Sequence, residues 1–233
     1  MVSTIIPFKD EEARLPETVR ATLGFFVSLG EEFEIILVDD GSVDNSVFAL
    51  GELLRDPHVK ILRHENNIGK GAAIKTGVLE SKGNVILFMD ADMATPIGEF
   101  EKLHHAISNG ADIAIGSRAL ALSKISKHQS FPRVLIGKLG NLLIRVLLGL
   151  PFKDTQCGFK LYRAPVAVDL FRDLQFPRWS FDYEILKRAK NRGYKVAEVP
   201  VAWSDKRGSK FRPIRDAARC FFDLLRMVVS GMK

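Results

Sequence analysis

Only two cysteines, Cys157 and Cys220, occur in 233 residues, and no Cys/His cluster has zinc-binding spacing. A disulfide-stapled fold and a structural zinc domain are thereby excluded, and a reducing compartment is expected. No stretch approaches the roughly 18 uninterrupted apolar residues that cross a bilayer, so no transmembrane helix is expected. The chain opens on a strand pattern, Val2-Ser3-Thr4-Ile5-Ile6, without a basic segment leading into an apolar run, so no signal peptide is expected. There is no low-complexity tract. What is present is a hydrophobic content of 46%, which excludes disorder and suffices for one sizeable core.

The net charge of +6 conceals a division. Residues 1–110 carry 10 Lys and Arg against 18 Asp and Glu, whereas residues 111–233 carry 24 against 10. The basic half should face something anionic: phosphates, a lipid surface or nucleic acid.

Apolar strand patterns begin near residues 2, 33, 59, 84 and 112. Helical patterns lie between them, at Leu15 to Leu29, Asn45 to Arg55, Lys70 to Ser81 and Ile97 to Asn109. This alternation predicts an α/β chain with a mostly parallel sheet and crossover helices. Pro16 suits a first helical turn, and Asp44 or Asn45 suits a cap. Residues 119–130 read as a loop. Two later segments read as amphipathic helices. In Phe131 to Leu150, Leu135, Leu139, Leu142, Leu143, Val146, Leu147 and Leu150 share one arc. In Pro213 to Ser230, a narrow polar arc of Arg215, Asp216, Arg219, Asp223, Arg226 and Ser230 opposes Phe221, Phe222, Leu224, Leu225, Val228 and Val229.

In open α/β sheets, ligands bind outside the carboxyl ends of the strands. The chemically loaded residues fall there. The run Val85-Ile86-Leu87-Phe88-Met89 ends in Asp90-Ala91-Asp92, two hard-oxygen carboxylates suited to Mg²⁺ or Mn²⁺ shared with substrate phosphates. Ile35-Ile36-Leu37-Val38 ends in Asp39-Asp40-Gly41-Ser42 in the same manner. Asn67-Ile68-Gly69-Lys70-Gly71 suits a phosphate at a helix start, although it fits neither the dinucleotide nor the Walker pattern. Arg118, after the fifth strand, suits a bidentate clamp on a diphosphate.

These motifs, in this order, resemble family 2 glycosyltransferases. The resemblance spans Ile6-Pro7, Glu11-Glu12, Arg14-Leu15-Pro16, Val38-Asp39-Asp40-Gly41-Ser42, Asn67-x-Gly69-Lys70-Gly71 and Asp90-Ala91-Asp92. Within that family the chain is most similar to the dolichyl-phosphate glucosyltransferases. The discriminating residues are Asp154-Thr155-Gln156-Cys157-Gly158-Phe159-Lys160, Arg178-Trp179-x-Phe181-Asp182-x-Glu184, and Trp203 followed by Gly208-Ser209-Lys210. It departs at Lys9-Asp10, where the family commonly has Tyr-Asn.

The resemblance implies a GT-A, Rossmann-like sheet flanked by helices, with C-terminal amphipathic interface helices. It implies a nucleotide-sugar-binding half at residues 1–118 and an acceptor-binding, membrane-facing half at 119–233 of the same domain. The implied reaction moves a hexose, foremost glucose from UDP-glucose, onto a polyprenyl or dolichyl phosphate with inversion. Nucleotide contacts fall to Pro7, Glu11, Asp39, Asp40, Lys70, Asp90, Ala91 and Arg118, and the metal to Asp90 and Asp92. Asp154, Arg133 and Lys210, with Asp182 and Glu184, are expected to serve the sugar and the acceptor phosphate. The implied location is peripheral, on the cytoplasmic inner face of an anionic membrane, with oligomerisation a second way to cover the last helix. A GDP-mannose-dependent mannosyltransferase shares the plan. A basic non-enzymatic module binding a membrane or nucleic acid is the alternative from another class, but no nucleic-acid recognition motif supports it.

Overall fold

The apolar runs of the first half become strands because the sheet is covered on both faces. In the computed structural model, which describes residues 1–127, 131–206 and 213–230, β1 (Val2–Phe8), β2 (Phe33–Asp39), β3 (Val59–Arg63), β4 (Val85–Met89) and β5 (Ile113–Ser117) all run in one direction. Helices α1 (Leu15–Leu29), α2 (Ser46–Leu50), α3 (Lys70–Glu80) and α4 (Phe100–Ser108) occupy the connections between them. The second half adds β6 (Lys124–Lys127), α5 (Phe131–Leu148), β7 (Phe159–Arg163), α6 (Ala164–Arg172), α7 (Phe181–Asn191), β8 (Val196–Pro200), β9 (Ala202–Ser204) and α8 (Pro213–Val229).

Seven strands form the main sheet in the order β3-β2-β1-β4-β7-β5-β8, in which β7 alone is antiparallel to its neighbours. The chain moves from β1 outward to β2 and β3, then returns to place β4 on the other side of β1. The strand order therefore reverses at β1 and β4, and the crevice of such a switch point opens at their carboxyl ends. The loops after Phe8 and Met89 leave from that edge.

Alternate residues of each strand feed opposite faces. Ile5, Ile86 and Phe88 join the core beneath α3, α6 and α7, while Ile6, Leu87 and Met89 join the core beneath α1 and α4. Phe26 anchors the second core: it stacks on Phe33 at 5.3 Å and meets Phe25 and Phe100 edge-on at 5.2 Å. Helix α1 stops at Gly30, whose φ of 71° is the left-handed conformation that closes a helix.

Three local expectations are corrected. Residues 119–130 are not all loop: Lys124–Lys127 pairs in parallel with β9 as a separate two-stranded sheet, stabilised by backbone pairing that its polar sequence does not advertise. The helical pattern at residues 45–55 divides at Gly51, where a φ of 49° ends α2 and a 3₁₀ turn follows. The amphipathic helices end at Leu148 and Val229, before the expected Leu150 and Ser230. Much of the apolar arc of α5 lies uncovered, with Leu135, Leu139, Leu142 and Val146 exposed while Ile144 and Leu148 reach the core. Helix α8 buries Leu224 and Met227 but exposes Phe221, Phe222, Val228 and Val229. No helix among the described residues is long and apolar enough to cross a membrane.

Phe26→Ala should leave a cavity that four-ring packing cannot close. We expect a loss of about 3–5 kcal/mol, read as a lower urea midpoint with an unchanged m-value.

Candidate active site

The turn after β4 is held by two separate elements and by a bond of its own. Asp90 N–H donates to the Gly158 carbonyl (3.1 Å), and Thr18 Oγ1 of α1 donates to the Ala91 carbonyl (2.7 Å). Ala94 N–H donates to Asp92 Oδ1 (3.0 Å), while Met93 takes a φ of 51°. Gly158 permits the close approach of β7: a Cβ there would lie 1.9 Å from Asp90 Oδ2. Both carboxylates thus stand on a loop fixed from beneath, at the switch point.

Lys70 and Arg118 act on Asp90, Lys70 and Arg14 act on Asp92, and Lys160 lies in the adjoining cluster. Lys70 Nζ is 2.5 Å from Asp90 Oδ1 and sits near the rings of Phe88 (5.1 Å) and Trp179 (5.5 Å). Burial alone would lower the Lys70 pKa, but the charges of Asp90, Asp182 and Asp92 outweigh it and hold the value above the ordinary range. Burial and the neighbouring Asp90 raise the Asp92 carboxyl. Arg118 grips Asp154 in a bidentate pair, Nε to Oδ2 at 2.7 Å and Nη2 to Oδ1 at 2.9 Å, and lies 5.5 Å from the Trp203 ring. Lys160 is fully buried, paired with Asp182, and donates to the Thr155 carbonyl (3.2 Å). Cys157 is buried beside this cluster, and burial together with Asp154 pushes its thiol up to about 12, too high for a nucleophile.

The loop after β2 approaches the same edge. Asp39 Oδ1 accepts from Ser42 N–H (2.7 Å). Its buried Oδ2 has Arg63 Nε at 3.2 Å but lacks a hydrogen bond of good geometry. Glu11 pairs with Arg14 through two contacts of 2.6 Å, and its N–H donates to Ser46 Oγ. Pro7 lies within β1 opposite Val38.

The structure gives several of the expected site residues other partners. Asp40 accepts from Asn67 Nδ2 and from the amides of Ile68 and Gly69, and it contacts His64 Nδ1, so both oxygens organise the loop leading to Lys70. Asp154 orients Arg118 and is itself seated by Glu198, which accepts from the amides of Lys153 and Asp154. Asp182 is held by Lys160. Glu184 is not brought to the cluster: its buried carboxylate accepts from the amides of Gln175 and Phe176 and from Arg188. The Arg133 side chain and all of Lys210 lie outside the described residues. Sequence reasoning assigned no role to Lys160, Gly158 or Trp179. Only the register of β7 reveals the first two.

Solved structures with this architecture include Mycobacterium tuberculosis glucosyl-3-phosphoglycerate synthase in complex with UDP, at 18% identity and a TM-score of 0.68, covering 100% of this chain and 81% of that one. The same enzyme with Mn²⁺ and UDP-glucose gives 18% identity and a TM-score of 0.70, over 98% of this chain and 78% of that one. At that identity the likeness establishes a shared fold, the mostly parallel α/β sheet expected from the sequence. The sequence relatives are nearer. The dolichyl-phosphate beta-glucosyltransferase of Drosophila melanogaster is 37% identical over 91% of this chain and 69% of its own length. The human dolichyl-phosphate beta-glucosyltransferase is 33% identical over 96% of this chain and 74% of its own. The pattern of glycosyl transferase family 2 matches residues 3–171, and the chain belongs to that family.

The Arg118–Asp154 pair makes a pH-dependent contribution. Burial would raise the Asp154 carboxyl, yet the charge and hydrogen bonds of Arg118 hold it below the ordinary value. Its stabilisation is therefore complete above the unfolded value of about 3.9 and lost as pH falls through the depressed folded value. Asp154→Asn should cost about 3 kcal/mol at pH 7. The difference from the parent protein in denaturant titrations should shrink below about pH 4.

Proposed function

We propose that the protein transfers glucose from UDP-glucose to a dolichyl or other polyprenyl phosphate, with inversion at the anomeric carbon. The observation that carries this reading is the Asp90–Asp92 pair at the switch point, reached by Lys70 from α3 and by Arg118 from the end of β5. The names borne by relatives along nearly the whole chain support the glucose and dolichyl assignments.

Asp39 Oδ2, which has Arg63 Nε at 3.2 Å but no hydrogen bond of good geometry, suits a base N–H, with Glu11 on the adjoining loop. Lys70 and Arg118 suit the diphosphate. Asp90 and Asp92 fit a divalent cation such as Mg²⁺ or Mn²⁺. Their oxygens are hard ligands, and no group of three His, Cys, Asp or Glu exists among the described residues, so water and diphosphate would complete the shell. Bound there, the ion would offset charge on the departing UDP. The C1–O bond to UDP breaks as a phosphate oxygen of the acceptor attacks from the opposite face. That oxygen is already anionic at neutral pH, so a strong general base is not required. Positioning and electrostatics supply the acceleration, and Asp154 contributes by fixing the orientation of Arg118. Arg133 and Lys210 remain our choices for gathering the acceptor phosphate, in a basic second half that complements the acidic first.

A polyprenyl tail leaves the bilayer only at a cost of about 0.8 kcal/mol per exposed CH₂. The exposed apolar arcs of α5 and α8, joined to basic arcs, suit docking in the plane of an anionic membrane. We place the enzyme peripherally on the cytoplasmic face, where Cys157 and Cys220 stay reduced.

Incubation with labelled UDP-glucose and a short polyprenyl phosphate should carry label into the organic phase, and GDP-mannose should not. Transfer from GDP-mannose alone would overturn the sugar assignment. Calorimetry on Asp92→Ala should show Mn²⁺-dependent UDP affinity reduced by more than about tenfold; equal affinity with and without metal would remove the metal role. Changing Leu139, Leu142 and Val146 to Ser should cut flotation with anionic vesicles by more than about tenfold, and salt should weaken binding of the parent protein. Unchanged flotation would mean that another surface docks.

A further inference from the structure

Lys70 stands where its charge conflicts with the cation assigned to the same carboxylates. Its ammonium is 2.5 Å from Asp90 Oδ1, and an ammonium and a divalent ion cannot share one carboxylate oxygen without strong repulsion at the reduced dielectric of a partly buried site. We propose that Lys70 is a built-in counter-cation. It holds the Asp90–Asp92 pair while no metal is bound, and it yields that pair to a divalent cation when a nucleotide diphosphate offers the ammonium a new partner. The inference rests on the donor-site reading above and adds to it an order of assembly.

Four observations support it. Asp92 is partly covered and stands beside Asp90, both of which raise the cost of ionising it, and the positive partner that meets the pair is Lys70, 2.5 Å from Asp90 Oδ1. Lys70 is well placed to be that partner. It is the first residue of α3, directly after Gly69, which packs so tightly on Pro177 and Arg178 that a Cβ would lie 2.6 Å from either. Its Nζ lies near the rings of Phe88 and Trp179, which draws a cation to this spot. Finally, no third metal-binding side chain among the described residues joins Asp90 and Asp92, so a free divalent ion gains little from the protein with which to evict the ammonium. A diphosphate changes both sides of the competition, because it supplies oxygens to the metal and an anionic partner to Lys70. Linkage then requires nucleotide and metal to raise each other's affinity by the same factor.

The test measures metal binding, not turnover. Mn²⁺ affinity is determined by the electron paramagnetic resonance signal of free Mn²⁺ and by calorimetry, with and without UDP, for the parent protein, Lys70→Met and Lys70→Arg. The parent should bind Mn²⁺ weakly alone and at least about tenfold tighter with UDP. Lys70→Met should bind Mn²⁺ alone at least about tenfold tighter than the parent, and the enhancement by UDP should shrink by a similar factor to the part that the diphosphate oxygens supply to the metal. Lys70→Arg retains the charge and should keep both parent values. Lys70→Gln, with the same readout, serves if the methionine variant does not fold. Unchanged or weaker Mn²⁺ binding by the neutral variants would overturn the counter-cation, even where UDP binding suffers. A parent protein that binds neither Mn²⁺ nor UDP would instead overturn the donor-site reading on which the inference rests.

Discussion

The register of β7 against β4 is the constraint on which the site depends. Met89 faces Phe159 and Phe88 faces Lys160 across an antiparallel pair. That pairing brings Gly158 under the Asp90 carboxylate, where any side chain would collide. It also turns Lys160 to the face occupied by Phe181 and Tyr162, where Asp182 awaits it. A slip of one residue would send Lys160 to the opposite face. Asp182 would lose its counter-ion, and Cys157 or Phe159 would replace the glycine beneath Asp90. The strand returns from the second half of the chain into the middle of the first, so the acidic and basic halves meet in one sheet.

The same return joins the exposed helices to the chemistry. Ser180 Oγ donates to Asp223 Oδ2 at 2.6 Å, and Tyr183 Oη donates to the Cys220 carbonyl at 2.9 Å. Both contacts tie α8 to the start of α7, the segment that carries Trp179 beside Lys70 and Asp182 beside Lys160. Asn141 of α5 accepts from Thr155 Oγ1 and donates to the Lys153 carbonyl, flanking Asp154 on both sides. Each helix with an exposed apolar arc is therefore fixed by side-chain hydrogen bonds to a segment one or two residues from a charged member of the cluster.

The first five strands were legible because parallel strands covered on both faces read as continuous apolar runs. Their carboxyl ends, and so Asp39, Asp90 and Asp92, followed from that reading. Strand β7 was not legible. Phe159-Lys160-Leu161-Tyr162-Arg163 places a lysine between two apolar residues, as a half-exposed strand would, although the structure buries Lys160 through an ion pair formed 22 residues away. Its direction leaves no local trace. The carboxylates of Asp154 and Glu184 invited reactive roles for the same reason. A carboxylate in a sequence shows its charge but not its partner, and those partners are Arg118, on a different strand end, and Arg188, one helical turn on. Strand β6 escaped notice because its four residues, Lys124-Ile125-Ser126-Lys127, are mostly polar and pair only with the distant β9.

The charge at the site is arranged so that the protein alone does not complete it. Lys70 is paired with Asp90, Arg118 with Asp154 and Lys160 with Asp182. Asp92 forms no ion pair of its own among the described residues: its Oδ1 accepts a backbone amide, and Lys70 and Arg14 act on it from farther away. Each of these cations is thus already neutralised by a carboxylate of its own, and the cluster retains one negative charge that a donor diphosphate would otherwise meet as repulsion. A divalent ion bound as proposed would reverse that sign where the diphosphate would lie, and would free Lys70 to act on phosphate instead of carboxylate. The proposed acceptor phosphate is a separate anion, and Lys70, Arg118 and Lys160 each already have a carboxylate partner. The proposed source of charge for it is the basic half, where Lys206-Arg207-Gly208-Ser209-Lys210-Phe211-Arg212 carries four cations within seven residues of sequence. The division of charge along the sequence then has a physical origin. In the proposed reading the acidic half would hold the metal, and the basic half would draw a second anion to the first.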